Sequence, residues 1–201
     1  MNKIAIIIPS RLEAKRLPDK PLKLINKKEM ILHVYDAAVT SKVGEVYVAT
    51  PNQKIIETVK NHGGNVVKTS EDHHTGTDRI FEVFKNTLKS ETNIIINLQG
   101  DMPNINPDAI FKLAEYMQEN KCDIGTLASS LNSNQELKDP NIVKVAVKEK
   151  FSHNTFLKAL DFFRKDINTS HYLYHHIGIY AFTSNALFKF TYFKRALLVK
   201  A

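Results

Sequence analysis

The chain holds one cysteine, Cys122, which excludes an internal disulfide and a multi-cysteine metal site. Its acidic neighbour Asp123 disfavours a thiolate, so a small residue at the start of a strand is the simpler reading than a nucleophile. No apolar run approaches the roughly 20 residues that a membrane helix needs. The apolar start, Ile4 to Ile8, meets Pro9 well short of the about 7–15 residues of a secretory h-region. It therefore reads as a buried strand, and the expected compartment is the cytoplasm. Lys and Arg outnumber Asp and Glu by 28 to 21, giving a net charge of +7, yet no block of like charge occurs. A nucleic-acid surface needs clustered cations. Interspersed charge fits a small polyanion such as a nucleoside triphosphate better, so neither nucleic acid nor a membrane is the expected partner. Glycine is scarce, at 7 residues, and none lies in the loop after the first apolar run. That excludes a GxGxxG turn or a P-loop there.

With 201 residues the chain is long enough for one compact domain. Apolar runs and amphipathic stretches alternate. Strands are predicted at Ile4–Ile8, Glu45–Ala49, Val66–Lys68, Asn93–Leu98, Ile124–Leu131 and Ile142–Val147. Helices are predicted at Glu29–Ser41, Asn52–Asn61, Thr77–Leu88 and Pro107–Asn120, the last with proline in its first turn. This order implies an α/β fold: a single domain with a mostly parallel sheet and helices on both faces. Ligands of such sheets sit beyond the carboxyl ends of the strands, which points to the loops after Ile8, Ala49 and Leu98. From about Glu149 the character changes. Twelve of the eighteen aromatics fall between Phe151 and Phe193, and no proline follows Pro140. Residues 149–201 are read as an elaboration on the sheet, a cap or a dimerisation surface, or as an aromatic-rich core.

Four segments carry chemistry. The first, Pro9 to Leu22, places Arg11, Lys15, Arg16 and Lys20 in one loop, with Pro18 and Pro21 stiffening the backbone around Lys20. Guanidinium and ammonium groups can hold phosphate without a glycine nest; a solvated basic loop is the alternative. In the second, Asp72 to Arg79, Gly76 allows a tight approach and Thr77 is a candidate N-cap. The helix start then offers free N–H groups to an anion or a base carbonyl. His73 and His74 lack a further convergent ligand, which argues against zinc. In the third, Asn97 to Pro103, Asp101 beside Gly100 suits a metal ion that takes most of its ligands from water and phosphate. Alone, it reads as an aspartate in a tight turn; the basic loop on a neighbouring strand favours the metal reading. In the fourth, His176, Gly178 and Tyr180 alternate along a strand and share one face, as a polar ligand site or as a core histidine with its neighbours.

Taken together, the segments resemble the 3-deoxy-manno-octulosonate (Kdo) cytidylyltransferase family. The resemblance runs from Ile4 to about Phe182. It rests on Pro9-x-Arg11, Arg16-Leu17-Pro18-x-Lys20-Pro21-Leu22, His73-x-Thr75-Gly76-Thr77-x-Arg79, Asn97-x-Gln99-Gly100-Asp101-x-Pro103, Asp139-Pro140-Asn141-x-Val143-Lys144-Val145 and His176-Ile177-Gly178-Ile179-Tyr180. It implies a Rossmann-like, glycosyltransferase-A-like nucleotidyltransferase fold that joins CMP from CTP to Kdo for lipopolysaccharide assembly. By the same resemblance Arg11, Lys20 and Asp101 are catalytic. Pro9, Arg11, Arg16, Lys20, His74, Thr75, Gly76, Thr77, Arg79 and Gly100 bind the nucleotide, and Asp101 binds Mg²⁺. Gln99, Arg164, His176 and Tyr180 hold the sugar acid. A cytoplasmic homodimer is the implied assembly. The sequence also departs from the family: Met102 stands where members have Glu after Gln-Gly-Asp. The final stretch, Thr191 to Ala201, replaces a long helix and a Val-Asp-Thr segment whose Asp is a further metal ligand. Those departures leave two alternatives, a truncated nucleotide-binding remnant of weak or no activity, and a cytidylyltransferase for another sugar acid. They also imply a weakened dimer.

Overall fold

The apolar run at the start of the chain forms strand β1, Lys3–Pro9, and Ile4 to Ile8 are all buried. A strand can be apolar at successive positions only when both its faces are covered. The computed structural model, which describes residues 3–13, 17–88, 92–152, 155–165 and 169–197, shows how. A small hairpin follows, β2 (Leu24–Ile25) and β3 (Lys28–Glu29), and then α1 (Met30–Thr40), β4 (Glu45–Thr50), α2 (Gln53–Asn61) and β5 (Val66–Lys68). Next come α3 (Gly76–Val83), which widens into a π turn over Phe84–Leu88, then β6 (Thr92–Asn97), α4 (Pro107–Glu119) and β7 (Ile124–Ser129). The last elements are α5 (Asn134–Lys138), β8 (Lys144–Val147), β9 (Ala159–Phe163), β10 (Tyr172–Thr183) and α6 (Ser184–Leu197).

The chain divides into two compact units, Met1–Gly125 with Ile179–Ala201, and Thr126–Gly178. In the first, β1 lies between β4 and β6, both parallel to it, and β5 extends the sheet in parallel beyond β4. The end of β10 closes the other side antiparallel to β6, with Tyr180 opposite Asn97. This is the mostly parallel α/β sheet that the alternation predicts. Ala5, Ile7, Ala49, Ile95 and Phe182 cluster with Ile80 and Val83 of α3 and Leu187 of α6. Side chains alternate along a strand, so Ile6 and Ile8 point to the opposite face, where α1 packs against α4. Helix α4 buries Ile110, Leu113, Ala114 and Met117, the i, i+3, i+4, i+7 stripe of an amphipathic helix. Pro107 opens it, and the Asn106 carboxamide caps it by accepting from the Asp108 N–H at 2.9 Å. Because β1, β4 and β6 run in parallel, the loops that follow them leave from one edge of the sheet.

The second unit is antiparallel. Strand β8 pairs with β9 on one side and with Tyr172 to His175 of β10 on the other. Its boundary differs from the sequence expectation of an elaboration over about 149–201. The unit starts at Thr126, and the late aromatics Phe182 and Phe190 pack in the core of the first unit. Aromatic density is a signal of burial, whereas a unit is set by which segments pack against one another. Among the described residues no helix is long and apolar enough to cross a membrane.

Candidate active site

The loop after β1 is fixed by its backbone before its charges act. The Ser10 N–H donates to Ala49 O at 2.9 Å, which carries the parallel ladder one step past the strand. Asn52, after β4, accepts from the Leu12 N–H at 3.1 Å and donates to Glu13 Oε1 at 2.9 Å. The Asp19 N–H then donates to Leu12 O at 3.3 Å and closes the loop. Residues Lys20–Leu22 make one turn of 3₁₀ helix, with Pro21 near its start and Asp19 before it in the left-handed region at φ 54°. A proline-fixed turn holds the base of Lys20 in one orientation.

Two glycines bring the other loops against the end of β1. A Cβ at Gly76 would lie 3.1 Å from Pro9 Cγ, and one at Gly100 would lie 3.1 Å from Pro9 O and 3.2 Å from Ile31 Cδ1. Larger residues would push both loops away from β1. The cap of α3 is Thr75, not Thr77 as the sequence suggested. Thr75 Oγ1 accepts from the Asp78 N–H at 3.1 Å, and Asp78 Oδ2 accepts from the Thr75 N–H at 3.2 Å. A carboxylate three residues after the cap completes this reciprocal pair. No such residue follows Thr77 at that spacing.

These loops enclose a cleft of about 340 Å³ in the first unit. Pro9, Arg11 and Lys20 line it from the first loop, His74, Thr75, Gly76 and Arg79 from the second, and Gln99, Gly100 and Asp101 from the third. Lys20 Nζ and Asp101 Oδ2 stand 2.7 Å apart although 81 positions separate them in sequence. Arg79 is buried, and its Nη1 donates to Thr69 Oγ1 and to Ser70 O. Burial, and then the like charge of Arg11, push the Arg79 guanidinium below its ordinary value. Glu13 is held below the usual carboxylate range by its Asn52 hydrogen bond, with the charges of Arg11 and Arg79 adding to it. Two guanidinium groups that repel each other beside a cleft are stabilised by any polyanion that enters it.

Several predicted residues stand elsewhere. Thr77 does not line the cleft; its hydroxyl oxygen is 3.4 Å from Asn97 Nδ2. Arg16 lies outside the described residues. Tyr180 is in the first unit, opposite Asn97, and burial pushes its hydroxyl above the ordinary value. Arg164 and His176 belong to the second unit. Gln99 Nε2 donates to Asn97 Oδ1 at 3.0 Å. Burial, and then Asp123, push the Cys122 thiol up, as its neighbour in sequence suggested.

Ser10, Pro21 and His73 also line the cleft, although the sequence reading assigned none of them to the site. Ser10 Oγ is buried and finds no hydrogen-bond partner among the described residues. A buried orphan hydroxyl at a cleft is a group for a ligand to satisfy. His73 Nε2 is paired with Glu82, which also accepts from the Ser70 N–H at 3.0 Å. The signals for these were weak: Ser10 is one hydroxyl between motif residues, and Glu82 is nine positions from its histidine.

Asp101 is 54% exposed and faces the cleft beside Lys20. Among the described residues no three His, Cys, Asp or Glu side chains gather as a metal cage. One accessible carboxylate beside the cations of the cleft suits Mg²⁺, which keeps water and substrate oxygens in its shell.

The sequence pattern of the cytidylyltransferases matches residues 5–197 of this chain. The 3-deoxy-manno-octulosonate cytidylyltransferase of Brucella ovis is 39% identical over 193 residues, which are 94% of this chain and 75% of that protein. The solved structure of a CMP:2-keto-3-deoxy-manno-octonic acid synthetase complexed with CTP superposes with a TM-score of 0.83 at 38% identity, covering 94% of this chain and 78% of the other. This chain belongs to the 3-deoxy-manno-octulosonate cytidylyltransferase family. A cytidylyltransferase of Leptospira borgpetersenii, 18% identical with a TM-score of 0.62 over 95% of this chain and 64% of its own, shares the fold. The family pattern continues to residue 197, beyond Phe182, where the motif resemblance ends.

One motif residue of this family's pattern gives the second unit a pH dependence. His176 is 8% exposed, and its Nε2 is 2.9 Å from Thr126 Oγ1. The Thr126 hydroxyl donates to Ile177 O at 3.2 Å, so its lone pairs accept from His176 Nε2–H. Phe162 covers the ring edge to face, with 5.0 Å between centroids. Burial, then the neighbouring His175, push His176 below its ordinary value of 6.5. Well above that value the ring is neutral in both folded and unfolded chains, and no penalty arises. As pH falls through it, the unfolded chain takes up the proton first, so folding stability declines. Urea midpoints recorded from pH 8 to 5 are expected to fall, and to fall less steeply in His176→Gln.

Proposed function

We propose that this chain transfers CMP from CTP to the anomeric hydroxyl of Kdo, releasing pyrophosphate. The observation that carries this reading is the convergence of Lys20 and Asp101, from separate loops at the carboxyl edge of the sheet, on a cleft that Arg11 and Arg79 make cationic. The names of the relatives supply the substrates. The anomeric oxygen forms a bond to the α-phosphorus, the bond from that phosphorus to the bridging oxygen breaks, and pyrophosphate leaves with the electron pair. The hydroxyl proton passes to solvent. Such a transfer asks the protein for position and charge rather than covalent work.

Arg11 and Lys20 hold the phosphates and offset the charge that develops on the departing pyrophosphate. Pro9, His74, Thr75, Gly76, Arg79 and Gly100 line the nucleotide, and the orphan hydroxyl of Ser10 takes one of its polar atoms. Asp101 would hold Mg²⁺, which when bound neutralises phosphate charge. The family resemblance assigns Gln99, Arg164, His176 and Tyr180 to the sugar acid, with the Arg164 guanidinium suited by charge to its carboxylate. Supply of CMP-Kdo for lipopolysaccharide, a cytoplasmic site of action and a homodimer belong to the same proposal.

The test is pyrophosphate release by the purified chain with CTP, Kdo and Mg²⁺. Release that depends on both substrates is expected, with UTP and sialic acid as poor replacements. A folded sample that CTP stabilises against heat but that releases no pyrophosphate would leave a nucleotide-binding protein without this activity.

A further inference from the structure

Lys144 has no part in the reaction outlined above, yet among the described residues it is the largest side chain with no exposed surface. Taking an ammonium group out of water is costly unless its hydrogen bonds are replaced. Here they are replaced in full. An ammonium has three N–H donors, and three main-chain carbonyls accept: Asp139 O at 2.9 Å, Ile142 O at 3.1 Å and Arg164 O at 2.8 Å. Among the described residues no carboxylate pairs with it. An apolar side chain of the same length would fill the space without the desolvation cost, so the amine is retained for what it holds.

What it holds is a closed arrangement within the second unit. Arg164 returns to the same loop through its own side chain, Nη1 lying 3.4 Å from Pro140 O and 3.2 Å from Asn141 O. The carbonyls of residues 139 to 142 are thus taken by two cations, and one of these cations grips the main chain of the other. The Asp139 carboxylate stiffens the loop further, accepting from the Asn141 N–H at 2.8 Å and from Asn141 Nδ2 at 3.0 Å. Arg164 remains exposed, and its contacts with the loop use Nη1, so the Nε and Nη2 donors stay available to an anion.

We propose that Lys144 is a positioning residue for the sugar-acid substrate. By clamping the 139–142 loop to the main chain of Arg164, it fixes where the Arg164 guanidinium stands to receive a carboxylate. The inference rests on the reading of Arg164 given under the proposed function.

Lys144→Met keeps the length of the side chain and removes the charge. The expected result is a KM for Kdo raised about tenfold or more, with KM for CTP nearly unchanged, because a small displacement of a positioning group is felt at the ligand it orients. Stabilisation of the variant by CTP against heat checks that it is folded. Arg164→Ala should raise KM for Kdo by itself, and adding Lys144→Met to it should cost nothing further, because both act through one guanidinium. An unchanged KM for Kdo in folded Lys144→Met, a parallel rise in both KM values, or penalties that add in the double variant would each overturn the proposal. So would an Arg164→Ala variant with normal KM for Kdo, and that result would leave the transfer reaction standing. Should the parent chain release no pyrophosphate at all, the transfer reading falls. Amide exchange at residues 141–143 then still decides the clamp, with faster exchange expected in Lys144→Met and unchanged exchange refuting it.

Discussion

Lys20→Ala is expected to lower turnover by about 10²- to 10³-fold, the loss found when one preorganised donor to a developing oxyanion is removed. The fold should not suffer. Lys20 is 34% exposed, and the turn that carries it is held by main-chain bonds and by Pro21. The removed ion pair with Asp101 is also partly exposed, where such pairs contribute about 0–1 kcal/mol. Melting temperature should therefore stay close to that of the parent, while kcat for pyrophosphate release collapses. Lys20→Arg separates charge from shape. A guanidinium keeps the positive charge but spreads it over a planar fork, so partial recovery is expected where a point charge is needed. Normal turnover in Lys20→Ala would remove Lys20 from the chemistry and leave the 2.7 Å contact as a surface ion pair.

The reason that pair could be anticipated is topological. The parallel alternation of strands and helices puts the ends of β1 and β6 on one edge, so residues just past each must meet if their loops turn inward. Proline on one side and glycine on the other make those turns. The helix stripe of α4 was legible on similarly local grounds. Other parts carried no local signal. The β2–β3 hairpin turns through Asn26 at φ 50° and Lys27 at φ 67°. Such a turn normally announces itself by glycine, and Lys27 conceals it. Strand β9, Ala159–Phe163, is exposed at its three central residues, so no in–out alternation marks it. Thr75 and Thr77 are equivalent as cap residues by type, and only the carboxylate of Asp78 decides between them. Lys144 is the extreme case. Lysine is almost never fully buried, so nothing in composition or periodicity places its amine among three carbonyls, one of them 20 residues further along the chain.

Asp101→Asn should divide binding from turnover. The carboxylate now shares Lys20 with whatever anion enters the cleft. Without divalent metal, a CTP phosphate that takes Lys20 must do so at the expense of Asp101 and against the repulsion of its charge. The carboxamide removes both obstacles. Metal-free CTP binding is therefore expected to hold or to tighten, by up to about fivefold if the whole of a partly exposed ion pair is recovered. In the presence of Mg²⁺ the same variant loses an anionic ligand, and a neutral amide oxygen is a poor substitute for it. Turnover should fall by about 10²-fold or more, with the Mg²⁺ concentration needed for half-maximal rate shifted upward. Calorimetry of CTP binding with and without metal, set beside pyrophosphate release, reads the two effects separately. Weaker metal-free binding in Asp101→Asn would mean that the carboxylate orders Lys20 for phosphate rather than competing for it. An unaltered rate in Mg²⁺ would mean that the metal is held by other groups.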